Sequence, residues 1–350
     1  VEVGNDHPVI LAGGYSGEIK PDGLSRKVFT SVPPPSLSDN RGDRERLVVS
    51  LGPRVDVPLD LLRTCPEVLR RADWRVTATL GFAADRWRLT ALEPGDTRGR
   101  HFGLAVDLGT TTVVVYLVDL SSGRVLDAAA GYNAQVPLGE DVLTRIQAGA
   151  SPEGLAALRE AALLTLNGLT GQLAEKNRID PGCFSAVVVA GNTAMVHFLL
   201  GLDPSRICLS PYSPAASRPG PFPAGETGLA VNPRAPVHFL PAVGSYVGGD
   251  IVAGVLASGL HRRNEVSLFL DIGTNGEMVL GNREWLVACA GAAGPALEGG
   301  VAGAGMRAEE GAIERVAIDP ASGRVSYSVI GGGKPRGVCG SGLVDAMAEL

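Results

Sequence analysis

The stretch Gly103-Leu104-Ala105-Val106-Asp107-Leu108-Gly109-Thr110-Thr111-Thr112-Val113-Val114-Val115 constrains this chain more than any other. An apolar run ends on a carboxylate, bends at Gly-Thr-Thr and resumes as an apolar run. That order reads as strand, tight turn, strand. The pattern returns at Ser267-Leu268-Phe269-Leu270-Asp271-Ile272-Gly273-Thr274-Asn275-Gly276-Glu277-Met278. One hairpin with Asp-Gly-Thr at its bend is unremarkable; two, each entered by an apolar strand, describe a duplicated fold. A Gly-bearing turn exposes successive backbone N–H groups, and flanking Thr or Asn side chains add donors, so an anion can be cradled without a lysine. A carboxylate at the strand end suits Mg2+, which keeps part of its water shell beside a phosphate.

Composition narrows the class. The 350 residues are 45% hydrophobic and 19% charged, enough for two or three domains. The net charge of -6, with Lys and Arg scattered, offers no basic patch, so nucleic acid is not expected as a partner. No apolar run is long enough for a membrane helix, and Val1-Glu2-Val3-Gly4 does not begin a signal peptide, so the expected setting is cytoplasmic, away from membranes. Five widely spaced cysteines without a C-x-x-C pair argue against a disulfide framework and against a cluster or zinc site, and read mostly as reduced core thiols.

Along the chain, residues 1–100 alternate short apolar runs with Pro, Gly and charge and read as a linker with a small α+β middle domain. Within it, Leu59 to Arg71 has helical spacing and Trp74–Leu80 and Trp87–Leu92 alternate as strands. The mixed-sign run Arg41 to Arg46 reads as a solvated turn or helix start. Residues 101–262 form the first lobe: strands at 103–109, 112–119 and 124–130, helices at 139–148 and 152–177, a strand at 186–190, a helix from Gly191-Asn192-Thr193, a strand at 238–240 and a helix from Val247 to Gly259. Residues 263–350 begin a second lobe alike, with strands near 266–271, 276–281 and 284–289, then glycine-rich segments, a strand pair near 314–328 and a helix from Gly340. The expected fold class is α/β: duplicated ribonuclease-H-like lobes preceded by the small α+β domain. By analogy with the first half, a further strand-helix-strand-helix is expected beyond Leu350, and a start at Val1 points to a piece of a longer chain at both ends.

Duplicated strand-Asp-Gly-Thr-strand halves resemble the acetate and sugar kinase, chaperone ATPase and actin superfamily. Five segments together, Ala105 to Thr112, Ala190 to His197, Asp271 to Glu277, Gly291 to Ala296 and Val338 to Gly342, resemble the reductive activators of corrinoid proteins. Pro35 to Leu47 is similar to their middle domain. The resemblance implies ATP and Mg2+ as cofactors, a corrinoid protein of a methyltransferase system as partner, an electron donor, and allows a homodimer. It implies that Asp107 and Asp271 lie near the metal, and that Gly109, Thr110, Thr111 and Thr112 with Gly273, Thr274 and Asn275 hold the β- and γ-phosphates. Asp250 sits where the superfamily often has a water-orienting carboxylate, against the plainer reading of a first-turn helix acid. Asn192 and Thr193 read as caps or ligand contacts, His197 as packed, and Glu277 as facing a cleft or water. The family's 2Fe-2S domain, with its C-x4-C-x2-C ligands, would precede Val1, and its adenosine-holding glycine pair would follow Leu350. Two rival readings stay open: a small-molecule kinase, with Asp250 as its base, and a non-catalytic ATP-gated binding module.

Overall fold

The computed structural model describes residues 23–52, 54–273, 275–292, 303–306, 308–320 and 322–350. It divides into two compact units, Val1–Ala253 and Gly254–Leu350.

The first unit opens with β1 (Ser25–Ser31), α1 (Asp43–Leu51), β2 (Val55–Asp56), α2 (Leu59–Arg71), β3 (Arg75–Ala83) and β4 (Arg86–Pro94). The strands form one sheet in the order β1-β3-β4-β2. In α2, Leu61, Cys65 and Leu69 stand four residues apart and so share one face. All three are buried, in one core with Leu47, Leu51, Val76, Ala78, Leu80 and Leu89. The expected helix and two strands are therefore present.

The run Arg41 to Arg46 departs from its expectation at one residue. Arg41, Arg44 and Glu45 are exposed, but Arg46 is buried. Its guanidinium donates to the carbonyls of Arg41 (3.0 Å), Pro33 and Pro34 (3.3 Å each) and Asp39, and to the Asp39 carboxylate at 2.8 Å. A proline-rich loop cannot satisfy its carbonyls with a regular ladder, and one five-donor side chain from α1 does so instead. The guanidinium groups of Arg41 and Arg46 hold the Asp39 carboxyl well below the usual carboxylate range.

This layer packs within the same unit on a larger sheet. There, β5 (Phe102–Leu108), β6 (Thr112–Asp119) and β7 (Arg124–Tyr132) form an antiparallel meander. After it come α3 (Val142–Ala148), α4 (Pro152–Asn177), β8 (Phe184–Gly191), α5 (Thr193–Leu200), β9 (Phe222–Pro223), α6 (Ala224–Thr227), β10 (Pro236–Phe239) and α7 (Gly249–Ser258). The sheet order is β7-β6-β5-β8-β10-β9, with β8 parallel to both β5 and β10. A meander continued by parallel strands is the ribonuclease-H-like arrangement. In α4, Leu158, Ala162, Leu166, Leu169 and Leu173 make a buried stripe in one core with Leu104, Val106, Val113, Val115 and Leu117 of the sheet. The Ser151 hydroxyl caps α4 by accepting from the Gly154 N–H at 3.0 Å. Polar contacts tie the two layers: Asn232 donates to the Thr90 carbonyl at 3.3 Å, His238 Nε2 lies 3.0 Å from the Phe82 carbonyl, and Ser25 meets His101 at 3.0 Å.

The helix expected from Gly139 starts three residues later. Asp141 takes the cap position, accepting from the Thr144 N–H at 2.8 Å. Gly139 instead lies against Arg145, where an added Cβ would come within 2.8 Å of Arg145 Cγ.

The second unit repeats the meander as β11 (Ser267–Ile272), β12 (Asn275–Gly281) and β13 (Leu286–Ala292). A second sheet of order β15-β14-β16 comprises β14 (Ala312–Ile318), β15 (Val325–Val329) and β16 (Gly337–Val338), and α8 (Gly340–Glu349) follows it. On the meander, Phe269 faces α7, where Gly254 leaves it room: an added Cβ would stand 2.2 Å from the ring. Leu268, Leu270, Ile272, Met278, Leu280 and Val287 are exposed. The fold class expected from the duplicated hairpins is therefore present, α/β with two meanders of one design. Most of the glycine-rich stretch from Gly291 to Gly305 lies outside the described residues. Among them, no helix is long and apolar enough to cross a membrane. Cys65 and Cys339 are buried, as core thiols should be, whereas Cys289 is exposed on β13.

Three histidines are held neutral. Burial pushes His101 down to about 4, and lowers His197 and His238 in the same direction. The unfolded chain, with its histidines near pH 6.5, then binds more protons on acidification. Stability present above about pH 6.5 should be lost as pH falls toward 4, seen as a falling melting temperature across that range. Arg46→Ala removes the donor from four loop carbonyls and should cost ~2–3 kcal/mol in chemical denaturation, whereas Arg44→Ala should cost under ~0.5 kcal/mol.

Candidate functional site

The turn between β5 and β6 is built from behind. Its three carbonyls are all taken by buried donors: Gly109 O accepts from Asn133 Nδ2 at 2.9 Å, Thr110 O from Arg145 Nη1 at 2.7 Å, and Thr111 O from the Asn133 backbone N–H at 2.8 Å. The peptides here are trans. In a trans peptide the N–H points opposite to the C=O, so the N–H groups of Thr110, Thr111 and Thr112 are turned away from the buried support. Gly109 is required at the bend, because an added Cβ would lie 2.4 Å from the Thr112 carbonyl oxygen.

The supporting side chains are fully or nearly fully buried. Asn133 Nδ2 also reaches Gln135 Oε1 at 3.3 Å, Gln135 donates to the Leu158 carbonyl at 2.8 Å, and Arg145 donates to Gly139 O at 2.7 Å and Gln135 Oε1 at 3.2 Å. Burial pushes the Arg145 guanidinium down to about 10, against the opposing pull of Asp141, so it stays charged near neutrality. Sequence reasoning missed Asn133, Gln135 and Arg145. Their signal was available: two amides just after an apolar strand, and an arginine inside an otherwise apolar helix stripe with Ile146.

The β8–α5 junction reaches the same turn. Asn192 caps α5, accepting from the Met195 N–H at 2.9 Å, and donates from Nδ2 to the Thr110 hydroxyl at 3.1 Å. Thr193 donates to the Gly244 carbonyl at 2.7 Å. The cap reading is thus met at Asn192, whose amide also reaches the turn. The start of α7 joins them at Gly248, where an added Cβ would stand 2.4 Å from Asn192 Cα and 2.7 Å from Asp250 Oδ1. Asp250 is a first-turn acid of α7, accepting from the Ile251 N–H at 2.8 Å. Asp107 is exposed near the end of β5, opposite Val114 on β6 and Ala190 on β8. The hydroxyl of Tyr116, on β6, is raised by burial first and by the charge of Asp107 second. His197 is packed: Nδ1 lies 2.7 Å from the Thr193 carbonyl and Nε2 accepts from the Ala216 N–H at 3.3 Å. That pairing uses both ring nitrogens and leaves none for catalysis.

In the second unit, Asp271 stands directly opposite Glu277 across β11 and β12. Two carboxylates in register repel unless a cation lies by them. The Gly273 N–H donates to the Asn275 carbonyl at 2.9 Å. Among the described residues an added Cβ at Gly273 would meet nothing nearer than the Asn275 carbonyl oxygen at 3.9 Å, unlike that at Gly109. Thr274 lies outside the described residues.

A ribonuclease-H-like lobe with an amide-edged turn, followed by a second meander of the same design, defines a member of the ASKHA class. Three family models match in tandem: the RACo linker region over residues 16–99, the RACo middle region over 102–263, and the C-terminal domain of RACo, the ASKHA domain, over 265–350. The chain belongs to the RACo family, the reductive activators of corrinoid proteins. It is 40% identical over 250 residues to the corrinoid activation enzyme RamQ of Eubacterium limosum, covering 71% of this chain and 42% of that protein. The [Co(II) methylated amine-specific corrinoid protein] reductase of Methanosarcina barkeri is 24% identical over 278 residues, 71% of this chain and 50% of that protein. A solved reductive activator for corrinoid, iron-sulfur protein matches with a TM-score of 0.79 and 45% identity over 96% of this chain and 54% of that one. The chain thus spans about half the length of these relatives.

Asn133→Ala leaves Gly109 O without a donor while the backbone bond to Thr111 O survives. It should destabilise the first unit by ~1–3 kcal/mol and speed amide exchange at residues 110–112 more than elsewhere in the sheet.

Proposed function

We propose that this chain is the ATP-responsive part of a protein that returns a corrinoid partner from Co(II) to Co(I). The observation that carries the reading is the turn at Gly109–Thr112, where the carbonyls of Gly109, Thr110 and Thr111 are drawn inward and the N–H groups that follow them face the other way, in a chain matched by the RACo regions in tandem from residue 16 to residue 350. Gly109, Thr110, Thr111 and Thr112 would hold phosphate oxygens, and Gly273, Thr274 and Asn275 would do so from the second hairpin. Asp107 and Asp271 offer hard oxygen donors of the kind Mg2+ takes. Asp250 would orient a water. Bound Mg-ATP supplies a hydrolysable phosphoanhydride and a different affinity for two states of the protein, the only means by which a ligand can shift an equilibrium.

Reduction of Co(II) to Co(I) takes up one electron, and a low-potential donor must supply it. The described cysteines do not fit a 2Fe-2S cluster: each is free and they lie on separate elements, and no group of three or more metal-ligating side chains gathers among the described residues. In this reading the electron reaches the corrinoid from outside these residues. What this chain's residues contribute is nucleotide binding and the change of state that makes the corrinoid protein reducible.

The test uses the protein with its flanking regions, under anaerobic conditions with Mg-ATP, a chemical reductant and a Co(II) corrinoid protein, following cobalt by absorption. ATP-dependent appearance of Co(I) is expected, with Asp107→Ala reducing its rate at least ~100-fold, about 2.7 kcal/mol. ATP turnover indifferent to the corrinoid protein, with a phosphorylated small molecule as product, would instead favour a kinase.

A further inference from the structure

Arg145 is a buried cation without an anion. Its side chain is wholly inaccessible, and among the described residues no carboxylate lies within ion-pair distance of it. The Asp141 carboxylate, whose field it feels, is engaged with the N–H and hydroxyl of Thr144. Arg145 Nε and Nη1 are spent on Gly139 O, Thr110 O and Gln135 Oε1, with Met195 Sδ 3.5 Å from Nη1, while Nη2 is buried with no hydrogen-bond partner among the described residues. Burying a charge is costly, and neutral oxygens compensate it only in part. A simple packing role would be met by a neutral side chain, so the retained charge calls for a use.

The bond to Thr110 O indicates one. A cation on the carbonyl oxygen of a peptide draws electron density through the amide and makes the N–H on its far side a better donor. That far side is the amide edge of the turn. We propose that Arg145 is a positioning residue for the anion site: its charge polarises the Thr110–Thr111 peptide from behind and raises the positive potential along the amide edge, so that a polyphosphate becomes the counter-charge the fold omits. This rests on the reading of the turn as a phosphate site and adds what the turn's sequence does not contain, a fixed positive charge that never touches the ligand.

Gln135→Glu tests it without removing the arginine. The substitution keeps side-chain shape and places a carboxylate at the atom 3.2 Å from Arg145 Nη1, giving the guanidinium an internal partner. The same change removes the Gln135 N–H that donates to the Leu158 carbonyl, so the melting temperature should fall, and binding is measured at a temperature where circular dichroism shows the variant folded. Calorimetric titration of the folded variant with inorganic tripolyphosphate and with Mg-ATP should show affinity lowered at least ~10-fold. A folded Gln135→Glu variant that binds tripolyphosphate within twofold of the wild type overturns the proposal. Arg145→Lys provides a second measurement. A buried lysine loses its proton more readily than arginine, so this variant's tripolyphosphate affinity should fall between pH 7.5 and 9.5 while that of the wild type stays level. Equal pH profiles in the two proteins also overturn it. Failure of the wild type itself to bind tripolyphosphate or Mg-ATP would instead refute the phosphate site, and the role of Arg145 with it.

Discussion

Everything proposed for the first unit depends on where three carbonyl groups point. The oxygens of Gly109, Thr110 and Thr111 are each satisfied from the buried side, by one asparagine and one arginine. Because a trans peptide sets its N–H opposite its C=O, fixing the carbonyls fixes the donors. A turn held only by its own strands could flip one peptide with little loss; this one would strand a buried donor by doing so. The stability of the fold and the shape of the amide edge are therefore one property.

The support comes from residues distant in sequence but adjacent in the lobe. Asn133 ends the third strand of the meander, Gln135 follows it, Arg145 stands on the next helix, and Asn192 opens the helix after the first parallel strand. Crossing from β5 to β8 by way of α4 brings that last helix start to the turn, since parallel neighbours place their carboxyl ends together. Asp250 arrives by the same logic, with Gly248 permitting the close approach that a Cβ would block. The lobe thus gathers residues from four connections at one end of its sheet, while its four-stranded neighbour is tied on through backbone carbonyls of Thr90 and Phe82.

The two hairpins look alike in sequence, yet their local demands differ. Gly109 has no room for a side chain, whereas Gly273 has no such close neighbour among the described residues, and the strand-end acid of the second hairpin stands opposite a second carboxylate, Glu277.

The duplicated strand-Asp-Gly-Thr pattern by itself determined the fold class, because apolar runs of strand length broken at a glycine bend leave few alternatives to a meander, and the helical pattern of α4 was legible over its full length, with its buried stripe between Leu158 and Ala174. The bend at Gly109–Thr111 was legible as a turn for the same reason. What only the tertiary structure decided is how these pieces are supported. Arg46 sat in a mixed-sign run that any sequence reading leaves in water, and is buried because the loop before it needs donors. Arg145 and Asn133 are marked in the sequence only as polar residues beside apolar ones; which carbonyls they meet is not, since a buried hydrogen bond across 24 or 35 residues depends on strand register and helix placement rather than on spacing. Periodicity tells which side of an element faces the core; which polar atom meets which carbonyl there is settled only when the elements are packed.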